Sequence, residues 1–153
     1  MKVTNALAAS INMRIYLHAG SQLGALIHGQ GIPWDDDIDG FMELRKKDEF
    51  GKICMGEGVE VHSSGVRLQC VLAFNAYKVW LHYPGMPKFT DERKNWYSPY
   101  LDLFFYKIED GRIWEVTPRG RRKRSGLVNY AIEDYFPTRP YYFGGVYVLD
   151  LVP

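Results

Sequence analysis

Apolar residues recur at two different spacings along this chain, and the changes of spacing divide it into elements. Val3 to Asn12 carries apolar positions at helical intervals and predicts a helix. Arg14 to Ala19 (RIYLHA) is branched and aromatic, as strands are. Gly20-Ser21 breaks that run, and Gln22 to Ile27 reads as one or two helical turns with Ser21 as N-cap. Gly29, Gly31 and Pro33 end those turns. Ile38 to Met42 predicts a second strand, and Leu44 to Ile53 a helix charged on one face. Val59 to Val61, Val66 to Ala73 and Ala76 to Tyr83 are three further strands. Pro84 to Ser98 reads as a polar loop. Tyr100 to Ile108 and Arg112 to Val116 flank Glu109-Asp110-Gly111, and Asp-Gly between two such runs predicts a hairpin. A basic loop follows, Arg119 to Arg124, then an aromatic stretch rich in proline and glycine. The chain stops at Pro153 with no final helix, as expected of a truncated domain or a fragment.

Length and composition add limits. A chain of 153 residues, 46% hydrophobic and 24% charged, predicts one globular domain, residues 1–153, with a core that needs no staple. A net charge of +1 predicts no general attraction to nucleic acid or to an anionic membrane, so an anionic ligand must be held locally. No stretch reaches the roughly 18 to 20 apolar residues that a transmembrane helix needs, and the N-terminus makes a poor signal peptide. Cys54 and Cys70 fit neither a zinc pattern nor a redox pair. They read as small buried hydrophobes, with a disulfide as the alternative, and leave the compartment open.

The informative stretch is PWDDDIDGF, Pro33 to Phe41, with Asp35, Asp36, Asp37 and Asp39 crowded together. Like charges this close raise one another's pKa, and a hard cation relieves the cost. Oxygen ligands suit Mg²⁺ or Mn²⁺. If Ile38 lies in a strand and points into the core, Asp37 and Asp39 project together from the other face. The bland alternative is a solvated acidic loop. A calcium loop is rejected, because Gly40 fits its sixth position but Lys46 stands at the twelfth, where a carboxylate is needed. Asp102, in the apolar run PYLDLFF, is costly to bury unless it is paired or holds a metal, and otherwise sits on a wet edge strand. Before the cluster, the backbone N–H groups at Gly20-Ser21 can cradle a phosphate, and Gly24 permits close approach.

A Gly-Ser turn, an Asp-hydrophobic-Asp strand and a third carboxylate on a later strand resemble the nucleotidyltransferase fold. The run GSQLGALIHGQGIPWDDDIDGFM narrows this, being similar to the signature of the LicD family, which includes the fukutin-like proteins. Lys78-Val79-Trp80, the stretch from Ser98 to Phe104, Phe136-Pro137 with Arg139, and Phe143-Gly144-Gly145 are similar too. The resemblance implies an α+β fold, a mixed or antiparallel sheet with flanking helices. It also implies transfer of a phospho-substituent, phosphocholine or ribitol phosphate, from a CDP-linked donor to a glycan or glycoprotein acceptor. Asp37 and Asp39 would then hold the metal, Mg²⁺ or Mn²⁺, with Asp102 as third ligand and Asp35 in support. Gly20 and Ser21 would touch the donor phosphates. Two departures stand out: Ile27 where an arginine often precedes the position of His28, and the absence of the family's usual chain beyond the final Phe-Pro segment.

Within that picture Lys78 and His28 are candidate phosphate contacts, and Trp34 a candidate stacking platform for a base or sugar. Their ordinary fates are a solvent-facing strand lysine, a structural histidine and a packed tryptophan. The basic loop reads as solvated, or as a dock for an acidic acceptor. Two rivals remain: an Asp-x-Asp glycosyltransferase, which does not need the Gly-Ser turn, and a catalytically inactive module binding a glycan or protein.

Overall fold

The protein is described by a computed structural model covering residues 1–87, 95–116 and 129–150. The basic loop, and the middle of the loop between Pro84 and Ser98, lie outside the described residues.

The described chain opens with helix α1 (Lys2–Ser10), the short strand β1 (Tyr16–Leu17) and helix α2 (Ala19–His28). Strand β2 (Ile38–Glu43) leads through a single 3-10 turn, Leu44–Lys46, into α3 (Lys47–Cys54). Strands β3 (Val59–His62), β4 (Val66–Ala73), β5 (Ala76–His82), β6 (Leu101–Glu109) and β7 (Arg112–Glu115) follow. The last described segment holds β8 (Asn129–Ala131), α4 (Ile132–Tyr135), β9 (Arg139–Phe143) and β10 (Val146–Asp150). The strands form one sheet in the order β3-β4-β5-β6-β2-β1-β10-β9, with β7 beside β6 and β8 beside β7. All pairings are antiparallel except β2 with β6 and β1 with β10. The mostly antiparallel α+β architecture is the expected one.

The parallel pair β2–β6 positions the site. Parallel neighbours begin at the same sheet end, so the acidic run before β2 lies beside the start of β6. Ile38 stands opposite Leu101, and Asp39 opposite Asp102. Alternation then sorts the faces. Leu101, Leu103 and Phe105 enter a core with Phe50, Met42 and Tyr77 beneath α1 and α3. Phe104 and Tyr106, the neighbours of Asp102 on the other face, pack with Tyr16, Phe41 and Ile113.

Four local expectations are revised. The strand over RIYLHA shrinks to Tyr16–Leu17, because α2 already starts at Ala19. Ser21 is therefore inside the helix and His18 occupies the N-cap, without a side-chain capping bond. The reason is tertiary: the buried Ser21 hydroxyl accepts the Asp39 backbone N–H at 2.8 Å instead of capping its own helix. The expected single helix over Leu44 to Ile53 divides into the 3-10 turn and α3. Cys54 and Cys70, read as separate buried hydrophobes, are joined by a disulfide across 16 residues, with Cα atoms 5.1 Å apart. The aromatic tail is a hairpin, β9–β10, that adds to the sheet through β1.

Candidate functional site

The sheet register assembles a polar row. Asp39 on β2 faces Asp102 on β6, and Asp102 faces Lys78 on β5. Three strands thus bring two carboxylates and an ammonium onto one face. Ahead of β2, Asp35 and Asp37 fold against Asp39, and one carboxylate oxygen from each of the three lies within 4.8 Å of the others. Bonds of roughly 2.1 to 2.6 Å to one hard cation span about this distance.

The start of α2 is clamped to the start of β2. Besides the Ser21 bond, the His18 backbone N–H donates to the Asp39 carbonyl at 3.1 Å. Gly20 is in van der Waals contact with the acidic loop. A Cβ there would stand 2.8 Å from Asp35 Oδ2 and 3.7 Å from Asp39 Oδ2. Gly24 serves the same loop one turn later, where a Cβ would meet the Gln30 carbonyl at 2.5 Å. Bare backbone at these two positions lets residues 30–35 fold back along the helix. The start of α2 then lies beside the carboxylates, where the positive end of its dipole favours negative charge.

Crowding and burial leave the cluster overcharged. Burial, then Asp102, Asp35 and Asp36, push the Asp37 carboxyl above its ordinary range, and Lys78 opposes this. Asp39 is pushed up to about 6, first by burial and then by Asp37, with His18 opposing. Asp102 is raised by burial against the pull of Lys78. The Tyr100 hydroxyl rises to about 12 through burial, then Asp37 and Asp102. Asp102 Oδ1 is buried with no hydrogen-bond partner among the described residues. Three converging carboxylates and an unpaired buried carboxylate oxygen fit a divalent cation with oxygen ligands.

Lys78 is not a solvent-facing strand lysine. It is 7% exposed, ion-pairs with Asp102 Oδ2, and lies 5.4 Å from the Trp96 ring centre and 5.0 Å from that of Tyr100. Trp34 is 84% exposed rather than packed on Pro33. His28 is exposed at the last residue of α2, the opposite end of the helix from Gly20. The structure therefore gathers Gly20, Ser21, Asp35, Asp37, Asp39, Asp102 and Lys78, and leaves His28 apart.

One residue escaped sequence reasoning. His18 is buried, stacks on Phe41 with centres 4.2 Å apart, and faces Glu115 with Nε2 3.6 Å from Oε2. Its only signal was a histidine within an apolar run, two residues before Gly20. A cleft of about 650 Å³ opens from Asp35, Asp36 and Asp37. Leu68, Val79, Leu101, Tyr83 and Met86 also line it, whereas Asp39, Asp102 and Lys78 do not.

Gly20→Ala tests the packing. The added methyl displaces the end of a flexible Asp35 side chain, so stability changes by no more than about 1 kcal/mol. Mn²⁺ affinity, measured by titration, is expected to fall severalfold. An unchanged dissociation constant would show that Asp35 takes no part.

Among the described residues, no helix is long and apolar enough to cross a membrane. A family model described as LicD/FKTN/FKRP, nucleotidyltransferase domain, matches residues 12–149. No curated protein matches the chain.

Proposed function

The chain belongs to the LicD/FKTN/FKRP family of nucleotidyltransferase domains, and we propose that it is a metal-dependent transferase acting on a CDP-activated donor. It moves a phospho-substituent, phosphocholine or an alditol phosphate, to a glycan acceptor. The observation that carries this reading is the convergence of Asp35, Asp37 and Asp39 within 4.8 Å, beside the free oxygen of Asp102 and the start of α2.

Asp37, Asp39 and Asp102 would hold the cation, with Asp35 at the exposed side. Bound Mg²⁺ or Mn²⁺ would supply positive charge against the donor diphosphate and the leaving CMP oxygen. The chain's own groups do the rest. The N–H groups at the start of α2, around Gly20 and Ser21, receive donor phosphate oxygens. The cleft beside Asp35, Asp36 and Asp37 would take the body of the substrate. The acceptor oxygen bonds to phosphorus as the bond to CMP breaks, and its proton passes to a carboxylate, Asp37 or Asp102. Lys78 balances part of the fixed negative charge.

Calorimetric titration of CDP into the purified protein, with Mn²⁺ and then with chelator, tests the donor site. Binding is expected with Mn²⁺ and lost with chelator. A folded protein that ignores CDP under both conditions is not an active CDP-donor transferase, and a binding module on the same fold then accounts better for the chain.

A further inference from the structure

We propose that Lys78 is a positioning residue that acts through Asp102. It ties down one carboxylate oxygen so that the other, Oδ1, is presented to the cation shared with Asp37 and Asp39. The inference rests on the metal-site reading and adds to it a role for a side chain that bears no ligand atom.

Four observations carry it. The Lys78 ammonium pairs with Asp102 Oδ2, and Lys78 and Asp102 are only 7% and 5% exposed. Cross-strand register places them directly opposite each other on β5 and β6, so the backbone of two rigid strands fixes their approach. Two aromatic rings also flank the ammonium. The Trp96 and Tyr100 rings, from the segment leading into β6, stand 5.4 and 5.0 Å away. Trp96 is itself buried, so this wall is part of the packed structure. Finally, Asp102 Oδ1 has no hydrogen-bond partner among the described residues, while the neighbour of Asp102 across β6–β2 is Asp39.

Together these give the carboxylate two unlike oxygens. Oδ2 is held by a charge-assisted bond, which sets the side-chain rotamer. Oδ1 is buried without a hydrogen-bond partner among the described residues, on the strand next to that of Asp39. Groups that orient a metal ligand from behind commonly change metal affinity by 10- to 100-fold when removed. A lysine reaching a donor phosphate instead would have to leave Asp102 and both aromatic faces.

A double-mutant cycle separates these roles, because coupled residues fail to add. Mn²⁺ dissociation constants would be measured from the paramagnetic resonance of free Mn²⁺ for the wild type, Lys78→Met, Asp102→Asn and the double variant. CDP would then be titrated at saturating Mn²⁺, and circular dichroism would confirm folding. Lys78→Met is expected to weaken Mn²⁺ about tenfold in the wild type. In the Asp102→Asn background it should change affinity less than about twofold. Lys78→Arg keeps the charge and the pair, and should stay within about threefold of wild type. If Lys78→Met does not fold, Lys78→Gln replaces it in the cycle. Equal losses in both backgrounds, or an unchanged Mn²⁺ constant in the single variant, overturn the proposal. So does a weakened CDP constant with Mn²⁺ affinity intact, which assigns Lys78 to the phosphate. Mn²⁺ binding without CDP binding would sink only the donor reading, and the cycle would still decide the role of Lys78. No Mn²⁺ binding by the wild type would overturn both.

Discussion

Replacing Asp39 with asparagine should make the metal-free protein more stable at pH 7 while abolishing its metal-dependent binding of CDP. Asp39 is pushed up to about 6 by burial, by Asp37 and by more distant carboxylates. The ordinary aspartate value in an unfolded chain is about 3.9. Between these values the folded state holds a proton that the unfolded state has released. Stability therefore falls as pH rises from about 4 to about 6, and the loss is complete at neutral pH. A two-unit shift corresponds to nearly 3 kcal/mol. Because Asp39 is only partly buried, a cost of about 1 to 2 kcal/mol is the appropriate expectation. Asparagine keeps the shape without the charge, and its melting temperature in chelator at pH 7 should rise by about 3 to 6 °C. Below about pH 4 the two proteins should converge, because Asp39 is then protonated in both states. Adding Mn²⁺ should raise the melting temperature of the wild type and leave the variant unmoved. A variant that melts below the wild type in chelator at pH 7 would mean that the carboxylate is stabilised by its surroundings, and the case for a waiting cation would lose its electrostatic basis.

Breaking the Cys54–Cys70 disulfide should be the most destabilising of the changes considered. The bond joins the end of α3 to the middle of β4 across 16 residues. Closing a loop of this size contributes about 3 kcal/mol by restricting the unfolded chain. Cys54→Ser adds a hydroxyl to a fully buried position in the core beneath α1 and α3. Thermal unfolding of Cys54→Ser, and of the wild type with and without reductant, should show losses of about 6 to 12 °C on breaking the bond. Cys54→Ala, which leaves no polar atom in the core, should lose less than Cys54→Ser. An oxidised and a reduced wild type that melt together would show that the cross-link adds nothing.

Much of the site was legible because its geometry is local. The Asp-Ile-Asp run needs only the two-residue period of a strand to send Asp39 away from the face bearing Ile38. The crowding of Asp35, Asp36 and Asp37 is present in any conformation of so short a segment. Gly24 was recognisable as a position of close approach, although the atom that approaches, the Gln30 carbonyl, was not, and the nearness of Gly20 to Asp35 Oδ2 was not anticipated. Ser21 shows the limit. Its composition argues for an N-cap, but a buried partner 18 residues away, the Asp39 N–H, outweighs the local preference. His28 shows a different limit. Its proximity to the acidic run in sequence is lost because ten residues of helix carry it to the far end of α2.

By itself the sequence determined the alternating strands, the helical segments, the carboxylate pair astride Ile38 and the family resemblance. Each depends on side-chain direction or residue type over a few neighbouring positions. Only the tertiary structure decided that β2 and β6 run parallel with Asp39 beside Asp102, and that Lys78 is buried against that carboxylate. It also decided that Cys54 meets Cys70 and that His18 enters the site. These pairings join residues from 16 to 97 positions apart, and no periodicity within a strand or helix selects among them. They are chosen by which strand edges pair and which apolar faces are buried together.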